Sequence, residues 1–166
     1  QKQYETIMNY IETSKKEGAQ LIYGGNRVTG GDFDKGYYIE PTLFEVTPEN
    51  TIFNEEIFGP VLAITTFKTE EEALKLANHS DYGLAGAVWS KDIERANKIA
   101  HQIEAGTIWI NEYHLLNPGM PFGGYKQSGV GREMGDEGLK SYLEVKHLWI
   151  SDCPSREKKV WFDVLF

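Results

Sequence analysis

A second cysteine is the first thing this sequence lacks. Cys153 alone can close no internal disulfide, and so few thiols suit a reducing compartment, the cytoplasm being the ordinary one. No apolar run approaches the ~20 residues of a membrane-spanning helix, and no secretory leader pattern is visible, so no membrane is expected. Positive charge is scarce: 17 Lys and Arg against 25 Asp and Glu leave a formal charge of −8. Nucleic-acid phosphates need a basic footprint, so no nucleic-acid partner is expected. The four histidines, at 79, 101, 114 and 147, lack metal-ligand spacing, and no metal is expected. Internal repeats and low-complexity runs are absent. An initiator Met is missing too: the chain opens QKQYETIMNY, almost directly on a helical pattern, which reads as a piece of something longer or a processed product.

What is present is the composition of a folded domain. The 166 residues are 40% hydrophobic and 25% charged, enough for one domain with a sizeable core. Tyr4, Ile7, Met8 and Ile11 form the stripe of an amphipathic helix, which Lys15, Lys16 and Gly18 bring to an end. LIYGG (21–25) reads as a short strand and YYIEPTLFEV (37–46) as extended, with Pro41 keeping that point off a central ladder. From residue 61 the pattern becomes regular. VLAITTF (61–67), GLAGAVWS (83–90) and TIWIN (107–111) are apolar strand candidates. Between them lie two helices, the first opened by Thr69 and Glu72 in capping-box spacing, the second striped by Ile93, Ala96, Ala100 and Ile103 and closed by Gly106. The expected class is α/β, a βαβαβ unit with a buried parallel sheet. Asp136 is expected to cap a helix carrying Leu139, Tyr142 and Leu143, and VKHLWIS (145–151) to form a last strand.

Between Asn111 and that helix lies EYHLLNPGMPFGGYKQSGVGR, a long loop at the end of a presumed parallel strand, where ligands gather in open α/β sheets. It leads into QSGVGREMG (127–135), whose glycines approach a dinucleotide phosphate fingerprint. That fingerprint works only when a strand runs straight into the first glycine, and the Gly- and Pro-rich NPGMPFGGYK cannot be one. A phosphate cradle is not expected there.

Three stretches carry chemistry-bearing residues. In NEEIFGP (54–60), extended geometry puts Glu56 and Phe58 on one side and Glu55 on the other. A carboxylate can accept both hydroxyls of a ribose while a ring supports a planar base. Gly59 would let a ligand approach the backbone. The competing view is a surface acidic pair with Phe58 in the core. Glu133, after Arg132, is either a general base raised by burial or a first-turn helix acid. Cys153, in DCPS near the chain end, lacks the electropositive setting of a nucleophile.

Taken together, EEIFGPV (55–61), DYGLAGAVWSKD (81–92), AGTIWIN (105–111), PFGGYKQSGVGRE (121–133) and GLKSYLEVK (138–146) resemble the C-terminal third of the NAD(P)-dependent aldehyde dehydrogenases. The resemblance runs from Gln3 to about Ile150. It implies that residues 1–144 are the C-terminal part of a catalytic domain and that 145–166 are an oligomerisation strand and tail, making a homodimer or homotetramer. It implies NAD as cofactor, with NADP open. Glu56 falls on the glutamate that binds the nicotinamide ribose and Phe58 on the ring beside the nicotinamide, with Gln3 at a position near the cofactor. Glu133 falls on a glutamate with a supporting role near the active-site thiol, and His114, Leu116 and Phe122 on positions shaping the aldehyde tunnel. The SGVGREMG glycines become a turn that carries Glu133. The nucleophilic cysteine, the oxyanion-hole Asn, the principal glutamate base and the cofactor domain lie upstream in such enzymes. The function implied is therefore oxidation of an aldehyde to an acid by a larger polypeptide, the fragment itself being inactive. A stand-alone interaction module is the alternative, or a semialdehyde or betaine aldehyde dehydrogenase.

Overall fold

Helix α1 (Lys2–Lys16) buries Ile7 and Ile11 from its apolar stripe, against Phe44, Val46, Ile52 and Ile57. The computed structural model describes residues 1–152 and 155. Past Glu17 the chain turns at Gly18, in the left-handed region that favours glycine (φ +82°), and enters β1 (Gln20–Tyr23). β1 pairs antiparallel with β2 (Thr42–Glu45), and β2 pairs parallel with β3 (Val61–Ile64), from Thr42 opposite Val61 to Glu45 opposite Ile64. Pro41 sits one residue before β2, where its missing N–H costs no ladder bond, and the next amide, Thr42, donates to the Pro60 carbonyl at 2.8 Å.

A short helix, α2 (Thr51–Asn54), leads towards β3 and was not evident from the sequence. Its cap comes from far away in the chain: the Glu17 carboxylate accepts the Thr51 amide at 2.8 Å and the Thr51 hydroxyl. The hydroxyl first, then the amide, holds the Glu17 carboxyl below the usual carboxylate range. A lowered pKa stabilises the fold above the unfolded value, and this contribution fades as pH falls through the folded value. In melting curves against pH, Glu17→Ala is expected to lose less stability on acidification than the unaltered chain. Equal acid sensitivity would remove Glu17 from this role.

α3 (Glu70–Ala77) starts at Thr69, whose hydroxyl accepts the Glu72 amide at 3.2 Å, while the Glu72 carboxylate reaches back to the Lys68 amide at 2.7 Å. α4 (Ile93–Ala100) is capped by Asp92, which accepts the Arg95 amide at 3.0 Å, and Arg95 then binds Glu70 of α3. Between these helices run β4 (Tyr82–Gly83) and β5 (Ala85–Val88), and after α4 comes β6 (Thr107–Ile110). β5 and β6 pair parallel, from Ala85 opposite Thr107 to Val88 opposite Ile110.

The α/β class and the parallel pairing therefore hold, but the strands do not share one three-stranded sheet. β3 takes β2 as its partner, and β5 and β6 form a separate pair. Partner choice is non-local, and the extended run before β3 competes for its edge. The sheet is also not buried on both faces: Leu62 and Ile64 of β3 are exposed. α4 ends at Ala100, six residues before Gly106, which serves another purpose described below.

The loop after β6 contains a further strand, β7 (Tyr125–Lys126), antiparallel to β4. α5 (Gly135–Lys140) follows it, with Met134 rather than Asp136 at the cap position; Asp136 lies in the first turn, and Leu139, Tyr142 and Leu143 are exposed. Residues 145–152 form no ladder with the described residues, and Val145, Leu148, Trp149 and Ile150 are exposed. Cys153 and the tail VWFDVLF lie outside the described residues. No helix among the described residues is long and apolar enough to cross a membrane.

Candidate functional site

The segment 55–59 is shaped by α1. The Tyr10 hydroxyl donates to the Glu55 carboxylate at 2.7 Å. That bond first, with desolvation and the Glu55 charge behind it, raises the Tyr10 phenol above its ordinary value. Ile57 is buried in the core beneath α1. Ile57 is thus buried and Glu55, though exposed, is tied to α1, while Glu56 and Phe58 are exposed, Phe58 by 75%. The extended alternation expected of NEEIFGP stops at Phe58, which has φ +51°. A non-glycine residue there costs ~1–3 kcal/mol and persists only where its surroundings impose it. Gln3 imposes it: its side-chain amide donates to the carbonyls of both Ile57 and Phe58 at 3.1 Å. Gly59 has a packing role that the sequence did not disclose. A Cβ there would lie 2.6 Å from Ile7 Cδ1, so the missing side chain makes room for α1. Glu56 has no hydrogen-bond or ion-pair partner among the described residues.

A second cluster surrounds the loop after β6. Asn111 leaves that strand with φ +54°, a conformation asparagine tolerates. Its side chain accepts the Ser90 amide and donates to the Ser90 carbonyl, both at 2.8 Å, extending the β5–β6 ladder by one step. Trp109 Nε1 donates to the Leu115 carbonyl at 2.8 Å and fixes the loop tip. There His114, at φ +64°, meets the Tyr113 ring edge-on at 5.3 Å, and Leu116 is partly exposed. The Gly119 amide turns back to the Asn117 side chain at 2.9 Å, and the Gly135 amide ties this stretch down through the Pro118 carbonyl at 3.0 Å.

Phe122 and Glu133, far apart in this loop, are direct antiparallel partners. Each amide donates to the other's carbonyl at 2.8 Å. Between them the chain runs through β7 and a turn in which Gly129 (φ +130°) and Gly131 (φ +85°) occupy backbone space closed to most side chains. Arg132 closes the turn by donating to the carbonyls of Gly124 (3.0 Å) and Gly131 (2.6 Å) while lying over the Tyr125 ring at 5.5 Å. Lys126 anchors β7 through the Asn78 and Ser80 carbonyls and Glu104. A cleft of about 620 Å³ opens beside Glu133, lined also by Phe122, Ser128, Val130 and Tyr142. Glu133 is exposed in it, so this chain does not supply the burial that the general-base reading called for.

The structure thus joins Glu56 with Phe58, and Phe122 with Glu133. His114 and Leu116 belong to the loop tip and do not line the Glu133 cleft. Among the described residues no group of His, Cys, Asp and Glu is arranged to hold a metal ion. Tyr10, Trp109, Asn111 and Arg132 were not singled out from the sequence. Only Asn111 carried a local signal, an asparagine directly after an apolar strand.

The α/β fold presents an exposed carboxylate–ring turn before β3 and a glycine-rich loop after β6, and comparison with known proteins supplies the family. The sequence model described as "Aldehyde dehydrogenase family" matches residues 1–148. Betaine aldehyde dehydrogenase of Bacillus subtilis (strain 168) is 46% identical over 158 residues, 95% of this chain and 32% of that protein. The chloroplastic betaine aldehyde dehydrogenase of Atriplex hortensis is 47% identical over 92% of this chain and 30% of its own length. Among solved structures, betaine aldehyde dehydrogenase from Staphylococcus aureus in complex with NAD+ is 46% identical, with a TM-score of 0.87 over 89% of this chain and 30% of that one. An aldehyde dehydrogenase of Mycobacterium tuberculosis complexed with NAD+ is 49% identical, with a TM-score of 0.81 over 85% of this chain and 29% of that one. This chain belongs to the aldehyde dehydrogenase family. It spans about a third of the length of the relatives it matches.

Proposed function

We propose that this chain is the part of an NAD-dependent aldehyde dehydrogenase that holds the nicotinamide end of the cofactor and lines the substrate passage, in a polypeptide that oxidises an aldehyde to a carboxylic acid. The observation that carries this is the turn at 55–59: a carboxylate on Glu56 without a partner among the described residues and an exposed ring on Phe58, held on a backbone with positive φ. These residues fit a nicotinamide riboside. The carboxylate offers two acceptor oxygens for a vicinal diol, and the ring offers an apolar face for a planar heterocycle. Bound NAD+ supplies the two-electron oxidant for the reaction. Glu56 anchors the ribose and Phe58 limits where the nicotinamide can lie. Both solved relatives named above contain NAD+, which supports NAD over NADP.

Glu133 is assigned a supporting part in proton transfer near the reacting thiol, with Phe122 held beside it by their paired backbones. His114 and Leu116 face the aldehyde from the loop tip. The named relatives make betaine aldehyde one substrate to test, beside small aliphatic and aromatic aldehydes. Residues 1–144 are assigned to the catalytic domain and 145–166 to a strand and tail that join subunits of a dimer or tetramer in the cytoplasm. The exposed apolar residues from Val145 to Ile150 support that assignment. If the segment served instead in a stand-alone interaction module, no longer polypeptide would exist in the source.

The nucleophile and the main cofactor domain are assigned to the remainder of the polypeptide. The chain by itself is therefore expected to form no NADH from any aldehyde in a panel that includes betaine aldehyde. Formation of NADH by the purified chain would overturn this division and return Cys153 to consideration.

A further inference from the structure

Helix α1 carries Gln3, Ile7 and Tyr10 at i, i+4 and i+7, one face of a helix. Each of the three meets a different part of the turn at 55–59. Gln3 donates to the carbonyls of Ile57 and Phe58, Ile7 fills the space left by the missing Gly59 side chain, and Tyr10 donates to Glu55. The sequence places two identical carboxylates side by side, and this face treats them differently. Glu55 is tied to the helix, and Glu56 is left with no partner among the described residues.

We propose that Tyr10 and Gln3 are positioning residues for the cofactor: Tyr10 holds Glu55 on the helix and Gln3 locks the 57–58 carbonyls, so that Glu56 alone is presented to the ribose. This rests on the assignment of Glu56 made above. Both residues act on the cofactor through the turn that they hold. Their contacts bridge 45 residues for Tyr10 and 54 to 55 for Gln3, so the helix is the template on which the turn is set. Neither contact depends on a charged side chain of α1.

The test uses the complete polypeptide with Tyr10→Phe, which removes only the hydroxyl, and Gln3→Met, which keeps length without a donor. Calorimetric titration with NAD+ gives affinity independently of turnover, and melting without nucleotide reports folding. Each variant is expected to bind NAD+ about tenfold more weakly, the equivalent of one lost hydrogen bond, with the KM for NAD+ rising and the KM for aldehyde moving far less. A purely structural role would lower the melting temperature and leave the NAD+ affinity of the folded protein unchanged, which would overturn the proposal. Glu56→Gln is titrated alongside. If Glu56→Gln weakens NAD+ and the two helix variants do not, the template is wrong and the assignment of Glu56 stands. If Glu56→Gln binds NAD+ like the unaltered enzyme, the assignment itself fails and the template falls with it. Should one helix variant fail to fold, the other carries the same comparison.

Discussion

Gly106→Ala is expected to destabilise the protein by ~3 kcal/mol or more and to displace the loop that carries Phe122 and Glu133. A Cβ at Gly106 would stand 1.7 Å from the Gly123 carbonyl oxygen and 2.9 Å from its carbon, with the Leu84 carbonyl oxygen 3.4 Å away. All three are backbone atoms, so no side chain can swing aside to relieve the clash. Gly106 cannot retreat either, because its own amide donates to the Gly83 carbonyl at 3.1 Å. The strand end or the loop must move, and Gly123 lies next to Phe122, whose pairing with Glu133 closes the loop. Thermal melting of the complete polypeptide should show a fall of several degrees, with loss of activity exceeding the loss of folded protein at assay temperature. An unchanged melting temperature would mean that the two backbones are not in contact as described.

Glu56→Gln is expected to have the largest effect on the reaction itself. If its carboxylate binds the ribose, the lost bonds to a charged acceptor are worth roughly 1.5–3 kcal/mol, or about a tenfold to hundredfold loss in turnover with NAD+. Glu55→Gln is the matched control. Its amide oxygen can still accept from the Tyr10 hydroxyl, so the turn keeps its tie to α1 and the effect should be small. Identical kinetics for the two variants would sink the assignment of Glu56, since only position distinguishes them.

These expectations separate what local sequence discloses from what it cannot. The stripe Tyr4, Ile7, Met8 and Ile11, the Thr69 cap and the apolar runs at 61, 83 and 107 declare their elements because helix and strand periods act over a few residues. Partner choice does not: β2 took the edge of β3, so the three strands of the expected unit fell into two parallel pairs. Gly106 looked like a helix stop, yet α4 ends at Ala100 and the glycine marks where two backbones touch. EEIFGP offered Glu56 and Phe58 through alternation together with the family resemblance, but the positive φ of Phe58 and the ties from Gln3 and Tyr10 come from a helix some 45 to 55 residues earlier. The glycines of SGVGREMG shared a pattern with a phosphate cradle; the lack of a strand before them argued against one, and the turn they make, with Gly129 and Gly131 at positive φ, is a matter of backbone geometry that composition does not disclose.

The central claim is that Glu56 and Phe58 hold the nicotinamide riboside. The measurement that tests it most directly is a set of distances in a crystal structure of the complete polypeptide with NAD+. The expected result is a Glu56 carboxylate oxygen within hydrogen-bond range, ~2.5–3.0 Å, of the ribose hydroxyls, with the Phe58 ring against the nicotinamide and Glu55 still bonded to Tyr10. Ribose hydroxyls bound by Glu55 or by no carboxylate of this segment, with the Phe58 ring turned to solvent, would contradict it.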